Sequence, residues 1–457
     1  MAVLTPVEMI DRMSADLLKD KPAIDKYSRY YEGDQPLRYM APQLEQELGP
    51  RITQLVLNWP RLGVDAYEAR LDVEGFRVAG EPRGSEELWR IWQANDLDEI
   101  SQQAHLEALI TSRSYVIVGP GEDPKTPLIT VEHPSQVAAM RDPGTRRVTA
   151  AIKRWSDDDD VLNVTLYLPD ETRYYTKPSN EFELQRTVRH GWGMVPVVPL
   201  VNRPRMLCPD GVSELVDVIP IADAANKMAT DMMIAAEFHA MPRRAWFGMS
   251  EEDFADEHGN PVSVWSRIAG REWATQLRKG DEADVVQFNE ADLRNFHESI
   301  KVLAQLASQV LALPPHYMGF ATTNPPSADA IRSAEAQLVK RCERKQSVFG
   351  GSWEQVMRIA ARIAGVENDQ DLRLLETVWR NPATPTVAQK ADAAVKLYSA
   401  GISTLEQTRE DVGYTPAQRQ DMADQDREAL ESNPLNVFAR QQEAVGAAGR
   451  AELQSQD

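Results

Sequence analysis

The chain has 457 residues, 42% of them apolar, and a formal net charge of −20. That length exceeds what one hydrophobic core organises, and that apolar share excludes a wholly disordered chain, so two or more structured regions are expected. No run approaches the roughly 18 to 20 consecutive apolar residues of a membrane span, and an acidic balance without a Lys/Arg cluster excludes tight gripping of nucleic acid by counterion release.

The first nineteen residues lack the basic-then-apolar order of a secretory signal, so a soluble protein that folds in the cytoplasm is expected. The two cysteines, Cys208 and Cys342, form no CxxC pair and make no zinc pattern with the seven scattered histidines. Reduced thiols are expected, with no metal and no cofactor.

In chain order, residues 5 to 32 predict a helix. Pro6 stands near its start, Met9, Ile10, Met13, Leu17 and Leu18 recur at steps of three and four, and Gly33 is a natural stop. A second helix is expected over about 44 to 70, holding Asn58-Trp59-Pro60-Arg61, followed by a strand-like Leu71 to Val78. A helical pair follows, with Leu88, Trp89 and Trp92 in the first member and His105, Leu109 and Ile110 in the second. From Tyr115 to about Leu200 the pattern changes to short β-runs at 115–118, 128–131, 149–155 and 163–168, separated by clusters such as Asp142-Pro143-Gly144. The run Asp157 to Asp160 lacks the alternating ligands and the glycine of a calcium loop, and reads as a solvated turn. His190-Gly191-Trp192-Gly193 reads as a turn before the apolar 195–199 run.

The helical period returns with Ser213 as an N-cap and runs from Leu215 to about Pro242. Residues 243 to 288 are turn-rich, with Trp246, Phe247, Trp265 and Trp273 as anchors. A helix over 290–313 breaks at Pro314-Pro315, because proline cannot extend it. A loop to Pro326 leads into helical stretches from Ser327 to Phe349, charged on one face, and from Trp353 to Ala364 beyond Gly350-Gly351. The last hundred residues read as helical and charged, with Trp379 and Pro382 marking a turn and 440–457 expected to fray.

A search for chemistry returns little. There is no G-x-x-x-x-G-K-[ST] phosphate loop, so the chain is not an ATP-driven motor, and no G-x-G-x-x-G follows a strand. Gly211-Val212-Ser213-Glu214-Leu215 lacks the closing glycine of a nucleophile elbow. The carboxylates are too dispersed to nominate an acid/base pair. A metal-dependent hydrolase and a monomeric helical adaptor remain as alternatives on the residues alone.

Several motifs in fixed order carry a resemblance. Tyr30-Tyr31-Glu32-Gly33-Asp34-Gln35-Pro36-Leu37 comes first, then Asn58-Trp59-Pro60-Arg61 with Val64-Asp65, Arg70-Leu71 and Gly75-Phe76-Arg77. Gly211 to Leu215 leads into Asp223-Ala224-Ala225-Asn226-Lys227. Leu313-Pro314-Pro315-His316-Tyr317-Met318-Gly319 and Pro326 to Ile331 with Glu335 complete the set. From about 25 to 405 the chain resembles the portal proteins of long-tailed bacteriophages, the head-to-tail connectors.

The resemblance implies an α+β, mainly helical portal fold of wing, stem, clip and crown. Laid on this sequence, the wing spans 1–212, the stem helices 213–241 and 290–313, and the clip 242–289. The tunnel loop then spans 314–326, the long helix and wing continuation 327–389, and the crown 390–439, with a disordered tail at 440–457. It implies a homo-oligomeric ring, usually of twelve, at one capsid vertex of the virion. Double-stranded DNA would pass through it without sequence-specific contact. Implied partners are the terminase large subunit, the major capsid and scaffolding proteins, and head-completion or adaptor proteins; no membrane is involved. The residues put forward for the channel loop are Pro314, Pro315, His316, Tyr317, Thr322, Thr323 and Asn324. Those put forward for partner docking are Trp246, Phe247, Trp265, Arg267 and Trp273. The small residues Ala222, Ala224, Ala225, Ala229, Ala235 and Ala236 are expected to let helices approach around a ring.

Overall fold

The computed structural model describes residues 4–38, 55–78, 84–178, 181–240, 244–247, 284–287, 293–319, 328–366, 371–383, 387–414 and 416–432. Helix α1, Pro6–Glu32, starts on a capping box: the Thr5 side chain accepts from the Glu8 N–H, and the Glu8 carboxylate accepts from the Thr5 N–H at 2.7 Å. Gly33 ends it at φ 81°, a left-handed conformation that a side chain would strain. Ile10, Met13 and Leu17 of α1 are buried with Ala138, Ile152, Val164 and Leu166 of a β-sheet, whereas Leu18, expected in the same stripe, is exposed.

The helix expected over about 44 to 70 is not continuous; its part at 44–54 lies outside the described residues. α2 is Trp59–Glu68, with Asn58 accepting from the Arg61 N–H and Pro60 in its first turn; residues 55–58 are not helical. Proline is tolerated in that turn because its missing N–H would have no partner there. Strand β1, Val73–Val78, and helices α3, Glu86–Ala94, and α4, Leu97–Thr111, follow as predicted.

Two antiparallel sheets build the β-rich region. The first has order β3-β2-β9, from Leu128–Glu132, Arg113–Gly119 and Val197–Val201; the second is a five-stranded meander. The meander consists of β4, Val137–Arg141; β5, Val148–Ser156; β6, Leu162–Tyr167; β7, Glu171–Lys177; and β8, Glu183–Arg189. The sequence reading missed β4, β7 and β8. β8 is an exposed, charged edge that offers no apolar alternation to read. The Asp157–Asp160 segment is the turn between β5 and β6, with the Asp157 carboxylate accepting from the N–H groups of Asp159 and Val161.

Ser213 does not cap a helix. Its hydroxyl donates to the Ile110 carbonyl and accepts from Leu215 N, and α5 starts only at Ile219, running Ile219–Ala240. After β10, Arg244–Phe247, and its antiparallel partner β11, Asp284–Gln287, comes α6, Arg294–Leu311. α6 stops before Pro314-Pro315, at Ala312 in a left-handed conformation. α7 spans Ala328–Ala364 without interruption at Gly350-Gly351. Trp379 lies on a strand, not a turn: β12, Leu375–Trp379, pairs antiparallel with β1 across about three hundred residues of sequence, which no local pattern can signal.

The main core centres on aromatic rings brought in by α3, α4 and α7. Trp92 meets Trp353 edge to face at 4.9 Å and Phe76 at 5.3 Å. His105 is stacked on Phe349 and accepts from Trp353 Nε1 at 2.8 Å. A separate compact unit begins at Ala383 and holds helices Val387–Ser399 (α8), Leu405–Val412 (α9) and Pro416–Ser432 (α10).

Burial pushes the His105 imidazole down to about 3, so it is neutral in the folded protein. An unfolded imidazole titrates near 6.5. Its contribution to stability is therefore complete above about pH 6.5 and is lost as pH falls toward 3. Urea unfolding midpoints are expected to drop between pH 6.5 and 5, and His105→Gln is expected to flatten that window; an unchanged slope refutes the assignment.

Candidate functional site

The ordered motifs converge on the start of α5. Buried Asp223 accepts from Tyr30 Oη at 2.7 Å, and Asn226 Oδ1 accepts from the Leu57 N–H at 2.7 Å. Asn58 Nδ2 donates to the Tyr31 carbonyl, and Tyr31 Oη donates to Asp65. Ala222, Ala225 and Ala229 are buried within the subunit, so these small residues pack inside one copy first; Ala224, Ala235 and Ala236 are half-buried. α5 and α6 lie against each other and are joined through the β10–β11 pair.

The end of α6 receives the most side-chain support. A helix leaves its last carbonyls without partners, and here two side chains supply them while a third bonds a carbonyl just beyond. Arg341 Nη1 of α7 donates to Val310 O at 2.8 Å, Tyr67 Oη donates to Leu311 O, and Ser308 Oγ donates to Leu313 O at 2.7 Å. Tyr67 Oη also accepts from Arg341 at 3.1 Å, and burial, then the Glu214 charge, pushes its hydroxyl well up. Beyond Pro314, a 3-10 turn Pro315–Met318 carries Tyr317, whose Oη accepts from Arg70 Nη2 at 2.9 Å; Arg70 in turn lies 3.6 Å from Glu335. The root of the 314–326 segment is thus clamped by α2 and α7.

Behind the clamp lies a buried ion pair. Lys345 Nζ donates to Glu214 at 2.7 Å and to Asn202 Oδ1 at 2.8 Å, and sits 4.8 Å from the Tyr67 ring centroid. Burial alone would raise the Glu214 carboxyl, but the Lys345 charge and hydrogen bond hold it below its ordinary value. Asn202 Nδ2 donates to Val212 O, and the chain can close there only because Gly211 (φ 79°) has no Cβ, which would lie 2.3 Å from Asn202 O.

Among the residues singled out from sequence, Pro314 is buried, Pro315 and His316 are exposed, and Tyr317 is half-buried. Trp246 and Phe247 lie on β10, opposite Val285 and Asp284. Thr322, Thr323, Asn324, Trp265, Arg267 and Trp273 lie outside the described residues. The clamp residues Tyr67, Arg70 and Arg341, with Lys345 and Glu214, were missed, because charges on one face of a helix usually signal solvent. Among the described residues no cluster of His, Cys, Asp and Glu could hold a metal, and no helix is long and apolar enough to cross a membrane.

Residues 10–432 match the family described as phage portal protein, SPP1 Gp6-like. The chain is 37% identical over 385 residues to the portal protein of Mycobacterium phage D29, covering 81% of this chain and 79% of that one. It is 37% identical over 395 residues to that of Mycobacterium phage L5, covering 83% and 81%. Among solved structures, a chain from the neck of an empty GTA particle, computed with C6 symmetry, aligns at a TM-score of 0.48 and 14% identity, over 84% of this chain and 96% of that one. One from the neck of a native GTA particle, computed with C12 symmetry, aligns at 0.46 and 13%, over 83% and 95%. A chain related in this way over most of its length is a structural component of a virus particle, not an enzyme. It belongs to the phage portal family, the head–tail connectors of the virion, through which DNA is packaged and later ejected.

Two substitutions test the clamp. Tyr67→Phe or Arg341→Ala leaves a helix-end carbonyl short of a donor, at a cost of about 1–3 kcal/mol. Amide exchange at 312–319 is expected to accelerate roughly 5- to 150-fold with the helical content unchanged; unaltered exchange there contradicts the clamp. Glu214→Gln strands the Lys345 charge and is expected to destabilise by about 3–5 kcal/mol, whereas Glu214→Leu with Lys345→Met costs far less. Equal losses in chemical denaturation would refute that reading.

Proposed function

We propose that copies of this chain, usually twelve, close into a ring around DNA, with α5 and α6 as its stem and the 314–326 loop toward the channel. The observation that carries this is the clamped root of that loop. A segment whose first residues are fixed by two helices can present its tip at a constant height while DNA moves past. The loop contains no Lys, Arg, Asp or Glu, and the chain carries a net −20, so nothing in it would grip phosphate.

The insert at 242–289 docks the terminase large subunit during packaging and head-completion or adaptor proteins afterwards. Residues 390–439 form the crown, and the wing meets the major capsid and scaffolding proteins. Assembly takes place in the host cytoplasm. Support for contacts between copies comes from exposed apolar side chains on α6, Val302 and Leu306, at 52% and 44% exposure. Met206 and Leu207, on a tight turn closed by paired Arg205 and Cys208 hydrogen bonds, are exposed at 85% and 95%. Neighbouring exposed apolar side chains of this kind are ordinary at an interface between copies.

Electron microscopy of the purified protein is expected to show rings with a central hole, and Val302→Glu with Leu306→Glu to lower the ring fraction by at least tenfold. A stable monomer at micromolar concentration would sink the reading. Lysine at Thr322, Thr323 and Asn324 is expected to slow DNA packaging; unchanged rates would remove this loop from the channel.

A further inference from the structure

The Tyr30 to Leu37 motif builds something that packing inside one subunit leaves unfinished. Between the last turns of α1 and the segment after it lies a surface cavity of about 380 Å³, walled by Pro22 and Pro36. Lys26, Arg29 and Arg38 line it, with Asp25 as the one acidic lining residue among the described residues. Arg38 leans toward Asp223 at 3.7 Å, but that carboxylate already accepts from Tyr30. Lys26 and Arg29 make no ion pair among the described residues. The cavity is therefore a cationic spot on a strongly acidic chain.

Gln35 lines the same cavity. It is only 3% exposed, yet among the described residues neither its Nε2 nor its Oε1 has a hydrogen-bond partner. Buried amides are normally paired, so the site is incomplete in an isolated subunit. The missing group must both donate and accept beside a negative charge, because an amide carries one acceptor and two donors. A phosphodiester offers acceptors only. A peptide group flanked by carboxylates offers everything required.

The same chain carries such a segment. The β5–β6 turn projects Asp158, Asp159 and Asp160, all exposed, while Asp157 is used to hold the turn. This turn belongs to the sheet that packs on Met13, and from Met13 to Arg29 α1 rises about 24 Å. Turn and cavity are thus separate patches of one subunit, as a head-to-tail contact around a ring requires.

We infer that the Asp158–Asp160 turn of one copy seats in the Lys26/Arg29/Gln35 cavity of the next. This rests on the ring reading above and adds a specific, charge-paired contact to it.

The test is charge reversal in the full-length chain, with ring fraction read by mass photometry and folding checked by circular dichroism. Lys26→Glu with Arg29→Glu is expected to reduce rings at least tenfold at low salt, and Asp158→Lys, Asp159→Lys and Asp160→Lys equally. The two sets combined on one chain are expected to recover most of the assembly, which a defect confined to either patch cannot do. Wild-type rings that tolerate both reversals, or a combined variant no better than its parents, overturn this contact and leave the ring reading standing. A wild-type chain that forms no rings defeats both.

Discussion

A positive charge buried in the interior is the constraint around which the centre of this subunit is organised. Lys345 can stay charged there only while Glu214, Asn202 and the face of Tyr67 surround it, because an unpaired buried ion costs several kcal/mol. Keeping those partners in place fixes the chain from β9 to Ser213, the approach to α5 and the face of α2 that meets α7. The same arrangement sets Tyr67 and Arg341 against the end of α6. The charge pair and the loop root are one connected structure, in which each hydrogen bond limits how far its neighbours can move.

This recasts what the family motifs do. Tyr30, Tyr31, Asn58, Asp65, Asp223 and Asn226 bond to one another or to the backbone beside them. They tie segments distant in sequence to the start of α5. A head–tail connector must hold its geometry under stress, and hydrogen bonds between α1, α2 and α5 meet that demand in a way that apolar packing, which tolerates sliding, does not.

Much of this was legible before the fold was known. The start of α1 near Pro6, its glycine stop, the helix pair after β1 and the amphipathic α6 follow from spacing alone, since local preferences and packing agree there; the capping box of α1 was not read. What else escaped was non-local. β12 pairs with β1 from the other end of the chain, and β8 is an exposed edge without apolar alternation. Lys345, in a helix whose charges read as solvated, is only 7% exposed. The start of α2 at Trp59 could have been read from Pro60, whose ring suits a first turn and not a helix interior, but the expected span ran through it. The start of the 314–326 segment could be located from its prolines, but its clamp is assembled from α2 and α7 and has no signature in either.

α7 gives the subunit a mechanical property beyond packing. Its 37 residues form one unbroken rod, roughly 55 Å long. One of its side chains, Arg341, holds the end of α6, and about 18 Å further along Trp353 sits in the aromatic centre against His105 and Trp92. A displacement of the end of α6 is therefore met by a stiff strut and passed to the buried aromatic centre, where it is spread over several ring contacts.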